Sequence, residues 1–281
     1  MHDPVAELAA RLVAEVGRYG RPLVAFSGGV DSAVVLAAAV RALGTADVAA
    51  VTAVSPALPE AELAAARAWC AVLGVAHHAV PTAELAVRGY RDNGPRRCYF
   101  CKGTLLDTAT EVAHAEGYTS LVTGTNASDV AAGFRPGIRA AAERGARTPL
   151  ADLGLDKAAV RRVGRRWRVP MWDKPAAACL SSRIAYGVRI TPARLARVER
   201  AEAAARALLA NLGVRDLRVR DLGDSVRVEV DASLVAAARS LSVLGEAVRA
   251  AGFGDAPLTV APFRSGSMNE LLPDPKRWRR A

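Results

Sequence analysis

The segment Leu23-Val24-Ala25-Phe26-Ser27-Gly28-Gly29-Val30-Asp31-Ser32 passes from a short apolar run, through two consecutive glycines, into an apolar helical pattern. It constrains the fold more than any other stretch, because it sets a helix start at the end of a strand with no Cβ between the turn and an approaching anion. The open N–H groups of that helix start favour negative charge, Ser27 and Ser32 add hydroxyls, and Asp31 can hold Mg²⁺ or orient a phosphate chain. The spacing is neither Gly-x-x-x-x-Gly-Lys-[Ser/Thr], which needs a lysine for the outer phosphates, nor Gly-x-Gly-x-x-Gly. Ser27, Gly28, Gly29, Val30, Asp31 and Ser32 are therefore expected to bind a nucleotide phosphate chain; the alternative is a glycine-rich turn that binds nothing.

Around this turn, strand patterns at residues 22–26, 48–54, 75–80 and 120–124 alternate with Ala-rich helical patterns near 33–43, 60–73 and 102–116. Alternation of that kind predicts an α/β fold with a doubly wound parallel sheet. Ligands of such sheets bind beyond the carboxyl ends of the strands. The segment Thr123-Gly124-Thr125-Asn126-Ala127-Ser128-Asp129 ends a strand as the glycine turn does, so Gly124, Asp129 and Arg135 join the expected nucleotide set. Asp129 reads as a neighbour of Mg²⁺ or the ribose, or as a loop cap.

After Gly187 the pattern changes. Thr191 as N-cap and Pro192 at the first helical position start a long helix running to about Leu212. Alternating residues 214–222 and 225–230 around Gly223-Asp224 form a hairpin, followed by a helix near 232–251 and a strand near 257–263. The expected organisation is a nucleotide domain over 1–187, a smaller α+β domain over 188–270 for substrate binding or oligomerisation, and a loosely ordered tail over 271–281.

The formal net charge of +10 favours anionic partners, but the arginines are scattered through Ala-rich helices and build no evident nucleic-acid platform. No apolar run approaches a membrane span, and the N-terminus lacks a leader pattern, which reads as cytoplasmic. Four cysteines are too few for a disulfide scaffold in a chain of 281 residues. Cys70 falls in a helical run and reads as a small core residue. Cys98 and Cys101 form a C-x₂-C pair ahead of a helix, with Arg96, Arg97 and Lys102 favouring thiolates. With Cys179 they give three thiolate ligands, a set that suits a [4Fe–4S] cluster with one open iron better than zinc. A redox disulfide between Cys98 and Cys101, or simple packing of small side chains, fits the same spacing.

Ser27-Gly28-Gly29-Val30-Asp31-Ser32 resembles the loop of the pyrophosphate-loop ATP pyrophosphatases, which cleave ATP between the α- and β-phosphates to adenylylate a carbonyl or carboxylate oxygen. Arg97-Cys98-Tyr99-Phe100-Cys101-Lys102, Gly124 to Asp129, Arg135-Pro136-Gly137, Thr148-Pro149-Leu150 and the stretch from Lys174-Pro175 to Cys179-Leu180-Ser181-Ser182-Arg183 follow in order. Together they are similar to the LarE family, the pyridinium-3,5-bisthiocarboxylic acid mononucleotide synthases of nickel-pincer cofactor biosynthesis, over nearly the whole chain.

The resemblance implies an adenine nucleotide alpha-hydrolase-like fold, ATP and Mg²⁺, and a pyridinium-3,5-dicarboxylate mononucleotide as substrate. A carboxylate of that substrate is adenylylated, and sulfur then displaces AMP. It implies Cys179, Asp31 and Arg183 as catalytic residues, Arg218 and Arg220 as ligands of the substrate phosphate, and Cys98, Cys101 and Cys179 as ligands of a [4Fe–4S] cluster carrying the sulfide. A sacrificial Cys179 that surrenders its own sulfur is the alternative, with an unidentified sulfur donor and a homo-oligomeric assembly also implied. A tRNA-thiolating pyrophosphate-loop enzyme is the rival reading; against it stand Val30, where the cluster-bearing thiolases usually carry lysine, and the missing RNA platform.

Overall fold

In the computed structural model residues 3–175 and 179–272 are described. The expected tail lies almost wholly outside them, as do the three alanines before Cys179. In chain order the first elements are α1 (Pro4–Val16), β1 (Pro22–Ala25), α2 (Val30–Leu43), β2 (Ala49–Val54), α3 (Glu60–Leu73) and β3 (Ala76–Pro81). Next come α4 (Arg88–Arg91), α5 (Arg97–Glu116), β4 (Ser120–Thr123), α6 (Ala127–Ala131), α7 (Pro136–Ala142), α8 (Pro149–Asp152) and α9 (Lys157–Arg166). The remainder are α10 (Pro192–Leu209), β5 (Leu217–Asp221), β6 (Val226–Val230), α11 (Val235–Ser240), α12 (Ser242–Val248) and β7 (Leu258–Pro262).

Two compact units emerge, one over residues 3–84 and 98–175, the other over 85–97 and 179–272. The first is the expected α/β layer structure. Its sheet is parallel throughout, in the order β3-β2-β1-β4. All four residues of β1 are buried, as a central strand covered on both faces requires. Its side chains alternate: Val24 joins the cluster of α1, α2 and α9 around Leu12, Leu36 and Val163, whereas Leu23 and Ala25 face Leu106 and Ala109 of α5. Because β1 has β2 on one side and β4 on the other, the winding reverses at β1, and its carboxyl end is the switch point at which open α/β sheets bind ligands.

Two local expectations change. The helix expected near 33–43 begins at Val30, which puts Asp31 and Ser32 on its first turn. The helix expected from 102 begins at Arg97, so the C-x₂-C pair does not precede it; Cys98 and Cys101 lie one turn apart on its first turns.

The second unit is built on the sheet β5-β6-β7, with β5 antiparallel and β7 parallel to the central β6. The expected single helix near 232–251 is broken at Leu241, whose φ of −83° and ψ of 96° are extended, and it ends in a π-helical turn. The Ser240 hydroxyl donates to the Ala237 carbonyl at 2.8 Å, a local bond that competes with continuing the helix. Residues 85–97 fold here because Asn93, fully buried, donates to the carbonyls of Ala185 and Val188 at 2.8 Å each, while Arg97 donates to the Ser181 carbonyl at 2.9 Å. No helix among the described residues is long and apolar enough to cross a membrane.

Asp221, at the end of β5, is fully buried and takes Arg194 at 2.7 Å, Arg197 at 2.5 Å and the Gly223 N–H at 3.1 Å. Removing one side of such a network strands the charges of the other. Asp221→Ala is expected to cost about 3–5 kcal/mol, read as a lowered urea midpoint of the intact chain.

Candidate nucleotide site

The glycine turn joins β1 to α2. Gly28 takes a left-handed φ of +73°, and a Cβ there would also come within 3.3 Å of Glu62 Oε2. Gly29, extended, serves as the N-cap of α2 without a side-chain cap, so the first N–H groups of the helix have no side-chain acceptor at that position. Ser32, on the first turn, donates to the Gly29 carbonyl at 3.1 Å and lies 3.3 Å from both the Ser27 N and its Oγ. The hydroxyls thus hold the turn open rather than filling it.

The other wall comes from the end of β4. A Cβ on Gly124 would lie 2.5 Å from the Ser32 N and 2.8 Å from the Asp31 carbonyl carbon, so the backbones following β4 and opening α2 touch at this glycine. Between them is a cavity of about 260 Å³, with Ser27, Asp31, Ser32 and Asp129 among its polar lining and Phe26, Ala53, Leu58 and Leu105 among its apolar lining. Polar donors beside an apolar compartment suit a phosphorylated nucleoside.

Asp31 is the most constrained carboxylate here. Its Oδ2 ion-pairs with Lys157 at the start of α9, and its Oδ1 is buried without a hydrogen-bond partner. Asp31 lines the cavity, and a carboxylate oxygen without a partner fits the requirement of a hard cation such as Mg²⁺ for oxygen ligands. Asp129 has two tasks: it forms a capping box with Asn126 at the start of α6 and lies 3.7 Å from the Arg135 guanidinium. Arg135 reaches the site through that ion pair.

Several of the site's contacts have no local signature in the sequence. Lys157 is 126 positions from its partner, a distance no local pattern bridges. Lys102 lines the cavity, and burial pushes its ammonium down to about 8, against the opposing pull of Cys101. Thr52 donates to the Phe26 carbonyl at 2.7 Å, so His77 Nε2, at 2.8 Å from the same hydroxyl, is the donor to it. His77 thereby supports a cavity wall, and burial, with Arg67 and His78, lowers its pKa.

The remaining expected residues belong to the second unit. Arg183, 4% exposed, is held by Glu202 at 2.8 Å, and that carboxylate also accepts the Val219 N–H at 3.0 Å. Glu202, on α10, is thus a largely buried ion-pair partner. Arg220 pairs with Glu229 at 2.7 Å, while Arg218 stacks over Phe263 and has its pKa drawn down by burial and by Arg183. The expected face carrying Arg218 and Arg220 is real, and both residues are buried.

All four cysteines are thiols. Burial raises Cys70 to about 11, the inert core residue the sequence implies. Cys98 and Cys101 fall in the first unit and Cys179 in the second. Among the described residues no three His, Cys, Asp or Glu side chains form a group that could hold a metal.

The profile of the NAD synthase family matches residues 10–181. An uncharacterised protein of Synechocystis is 41% identical over 259 residues, 91% of this chain and 94% of its own. The pyridinium-3,5-bisthiocarboxylic acid mononucleotide synthase of Lactiplantibacillus plantarum is 30% identical over 272 residues, 95% of this chain and 96% of its own. The argininosuccinate synthase of Halobacterium salinarum matches more narrowly, 38% over 114 residues, 37% of this chain and 28% of its own.

Two measurements check this geometry. Gly124→Ala forces a methyl group into the backbone of α2 and is expected to destabilise the chain by about 1–3 kcal/mol and to weaken nucleotide binding, read by thermal melting and calorimetry. Iodoacetamide at mildly alkaline pH is expected to label exposed Cys98 well before Cys70, read by peptide mass spectrometry.

Proposed function

The chain belongs to the NAD synthase family and to that of the pyridinium-3,5-bisthiocarboxylic acid mononucleotide synthases, and we propose that it is an ATP-dependent sulfurtransferase acting on a pyridinium-3,5-dicarboxylate mononucleotide. The observation that carries this reading is the end-to-end likeness to the Lactiplantibacillus synthase, at 95% coverage of this chain. The open glycine turn, with its orphaned Asp31 oxygen, supports the ATP half of it.

Replacing a carboxylate oxygen with sulfur is difficult because neither anionic oxygen is a leaving group. In the proposed sequence a substrate carboxylate attacks the α-phosphorus of ATP and pyrophosphate leaves, which converts that oxygen into a phosphoanhydride leaving group. Ser27, Gly28, Gly29, Val30 and Ser32 hold the pyrophosphate through the turn and the start of α2. Asp31 supplies a ligand for Mg²⁺, which when bound neutralises phosphate charge. Gly124, Asp129 and Arg135 bound the nucleotide.

The acyl adenylate then meets sulfur. In the version built from this chain alone, the Cys179 thiolate attacks the acyl carbon, AMP departs, and a thioester forms. Loss of the Cys179 Cα proton and cleavage of its Cβ–S bond would release the thiocarboxylate and leave dehydroalanine. Arg183 is assigned to the developing oxyanion, and Arg218 and Arg220 to the substrate phosphate. The depressed Arg218 supports that last assignment: an added anion would relieve the crowding of Arg183, Arg218 and Arg220. A [4Fe–4S] cluster on Cys98, Cys101 and Cys179, loaded by an external sulfur donor, is the alternative source. Assembly of several copies belongs to the same reading.

The test is ATP turnover. AMP and pyrophosphate are expected only when the pyridinium dicarboxylate mononucleotide is present, and Asp31→Ala is expected to abolish both; ATP hydrolysis indifferent to that substrate would refute the assignment. The sulfur source is read separately on anaerobically prepared protein. Iron that disappears with Cys98→Ala supports the cluster, and loss of one sulfur from the Cys179 peptide after turnover supports the sacrificial route.

A further inference from the structure

After Glu84 the chain leaves the first unit, folds with the second over residues 85–97, and returns at Cys98. Ordering such an excursion costs conformational entropy, and its buried side chains show where that cost is offset. Tyr90, Asn93 and Arg97, each at most 5% exposed, bond along one strip, residues 181–188. Tyr90 Oη and Ser181 Oγ share a hydrogen bond of 2.5 Å, Arg97 donates to the Ser181 carbonyl at 2.9 Å, and Asn93 donates to the carbonyls of Ala185 and Val188. Arg97 also donates to Asn93 Oδ1 at 2.5 Å, and its guanidinium lies over the Tyr186 ring, 5.0 Å from the centroid. The strip begins two residues after Cys179.

Cys179 stands at the start of a single 3-10 turn, Leu180–Arg183, without a side-chain cap. A lone turn of that type has poor internal hydrogen-bond geometry and depends on outside partners for its shape. Guanidiniums supply them. Arg183 donates to the Cys179 carbonyl at 3.2 Å, Arg97 to that of Ser181, and Arg220 to that of Ser182 at 3.2 Å. In the proposed chemistry Arg183 and Arg220 also serve the oxyanion and the substrate phosphate, so their bonds to the turn compete with substrate. Arg97 has no such second task, and Asn93 and Tyr186 hold it from behind. We propose that Arg97 is a positioning residue for sulfur transfer. Through the Ser181 carbonyl, with Tyr90 on the hydroxyl of the same residue, it keeps the turn bearing Cys179 and Arg183 in place while Arg183 and Arg220 engage the substrate. The proposal rests on the sulfurtransferase reading above. Every residue in this network belongs to the second unit. A bond from a buried guanidinium is charge-assisted, which suits it to fixing a carbonyl. Loosening the turn displaces the thiol and Arg183 together, and acyl adenylate that sulfur does not meet is hydrolysed, releasing AMP without product.

The ratio of AMP to thiocarboxylate tests this. Anaerobically prepared full chain is incubated with ATP, Mg²⁺ and the pyridinium dicarboxylate mononucleotide, with AMP read by chromatography and thiocarboxylate by mass spectrometry. Wild type is expected to form the two in near-equal amounts. Arg97→Gln is expected to raise AMP released per thiocarboxylate by about tenfold, because a small misplacement of a reacting group costs at least that much. Tyr90→Phe, which removes one hydroxyl, is expected to raise it by about threefold. Arg97→Lys, which keeps a donor for the Ser181 carbonyl, is expected to recover part of the coupling. A merely structural role lowers both products in proportion to the folded protein and leaves their ratio alone. An unchanged ratio in Arg97→Gln, or in Tyr90→Phe where Arg97→Gln does not fold, therefore overturns the positioning role while the sulfurtransferase reading stands. Wild type that forms no AMP or no thiocarboxylate in the presence of the substrate overturns that reading itself.

Discussion

The contact between the backbone after β4 and the first turn of α2 is the constraint on which the rest of the first unit depends. A parallel sheet can hold a ligand at its switch point only if the two loops leaving the adjacent strands come close without filling the space between them. Here the approach is so tight that Gly124 has no room for a Cβ. Pairing of β1 with β4 over four residues fixes the register that makes the approach possible. Apolar burial under α2, which is almost continuous from Val30 to Ala39, prevents the helix start from withdrawing. The phosphate turn thus owes its shape to a sheet and a core, and its glycines permit that shape without generating it.

The second unit shows a different use of charge. Arg183, Arg220 and Asp221 are buried, each with an opposite charge in contact. Buried ion pairs of this kind contribute little net stability, because desolvation consumes most of the Coulomb gain. Their consequence is geometric: guanidinium planes are held at fixed places on β5 and beside it, and the Arg218 guanidinium lies over the Phe263 ring. A site that recognises an anion needs that preorganisation, since charges already desolvated and oriented do not have to be reorganised when the ligand arrives.

What could be read from the sequence divides along the same line between local and distant causes. The central strands β1 and β2 were legible because buried strands read as unbroken apolar runs, and the glycine turn because its chemistry lies within six residues. Thr191 and Pro192 gave the start of α10 through a capping rule that acts over one turn. The start of α5 was placed five residues late because the polar stretch Arg96-Arg97-Cys98 carries no helical periodicity, although Gly94-Pro95 marked the boundary. Lys157, Glu202 and His77 were missed for one reason. Each acquires its role from a partner that only tertiary folding supplies: Asp31, Arg183 and Thr52 respectively.

The cysteines show where such reading stops. C-x₂-C on a helix is a statement about two side chains one turn apart, and the fold honours it at Cys98 and Cys101. A third ligand from another part of the chain is a statement about how two compact units meet, and no sequence spacing encodes that. The residues assigned in the proposed chemistry to ATP, namely the turn, Asp31 and Gly124, lie in a single unit and line one cavity. Those assigned to sulfur delivery and the substrate phosphate, Cys179, Arg183, Arg218 and Arg220, fall in the other. An acyl adenylate is prone to hydrolysis and has to be met by sulfur before water reaches it.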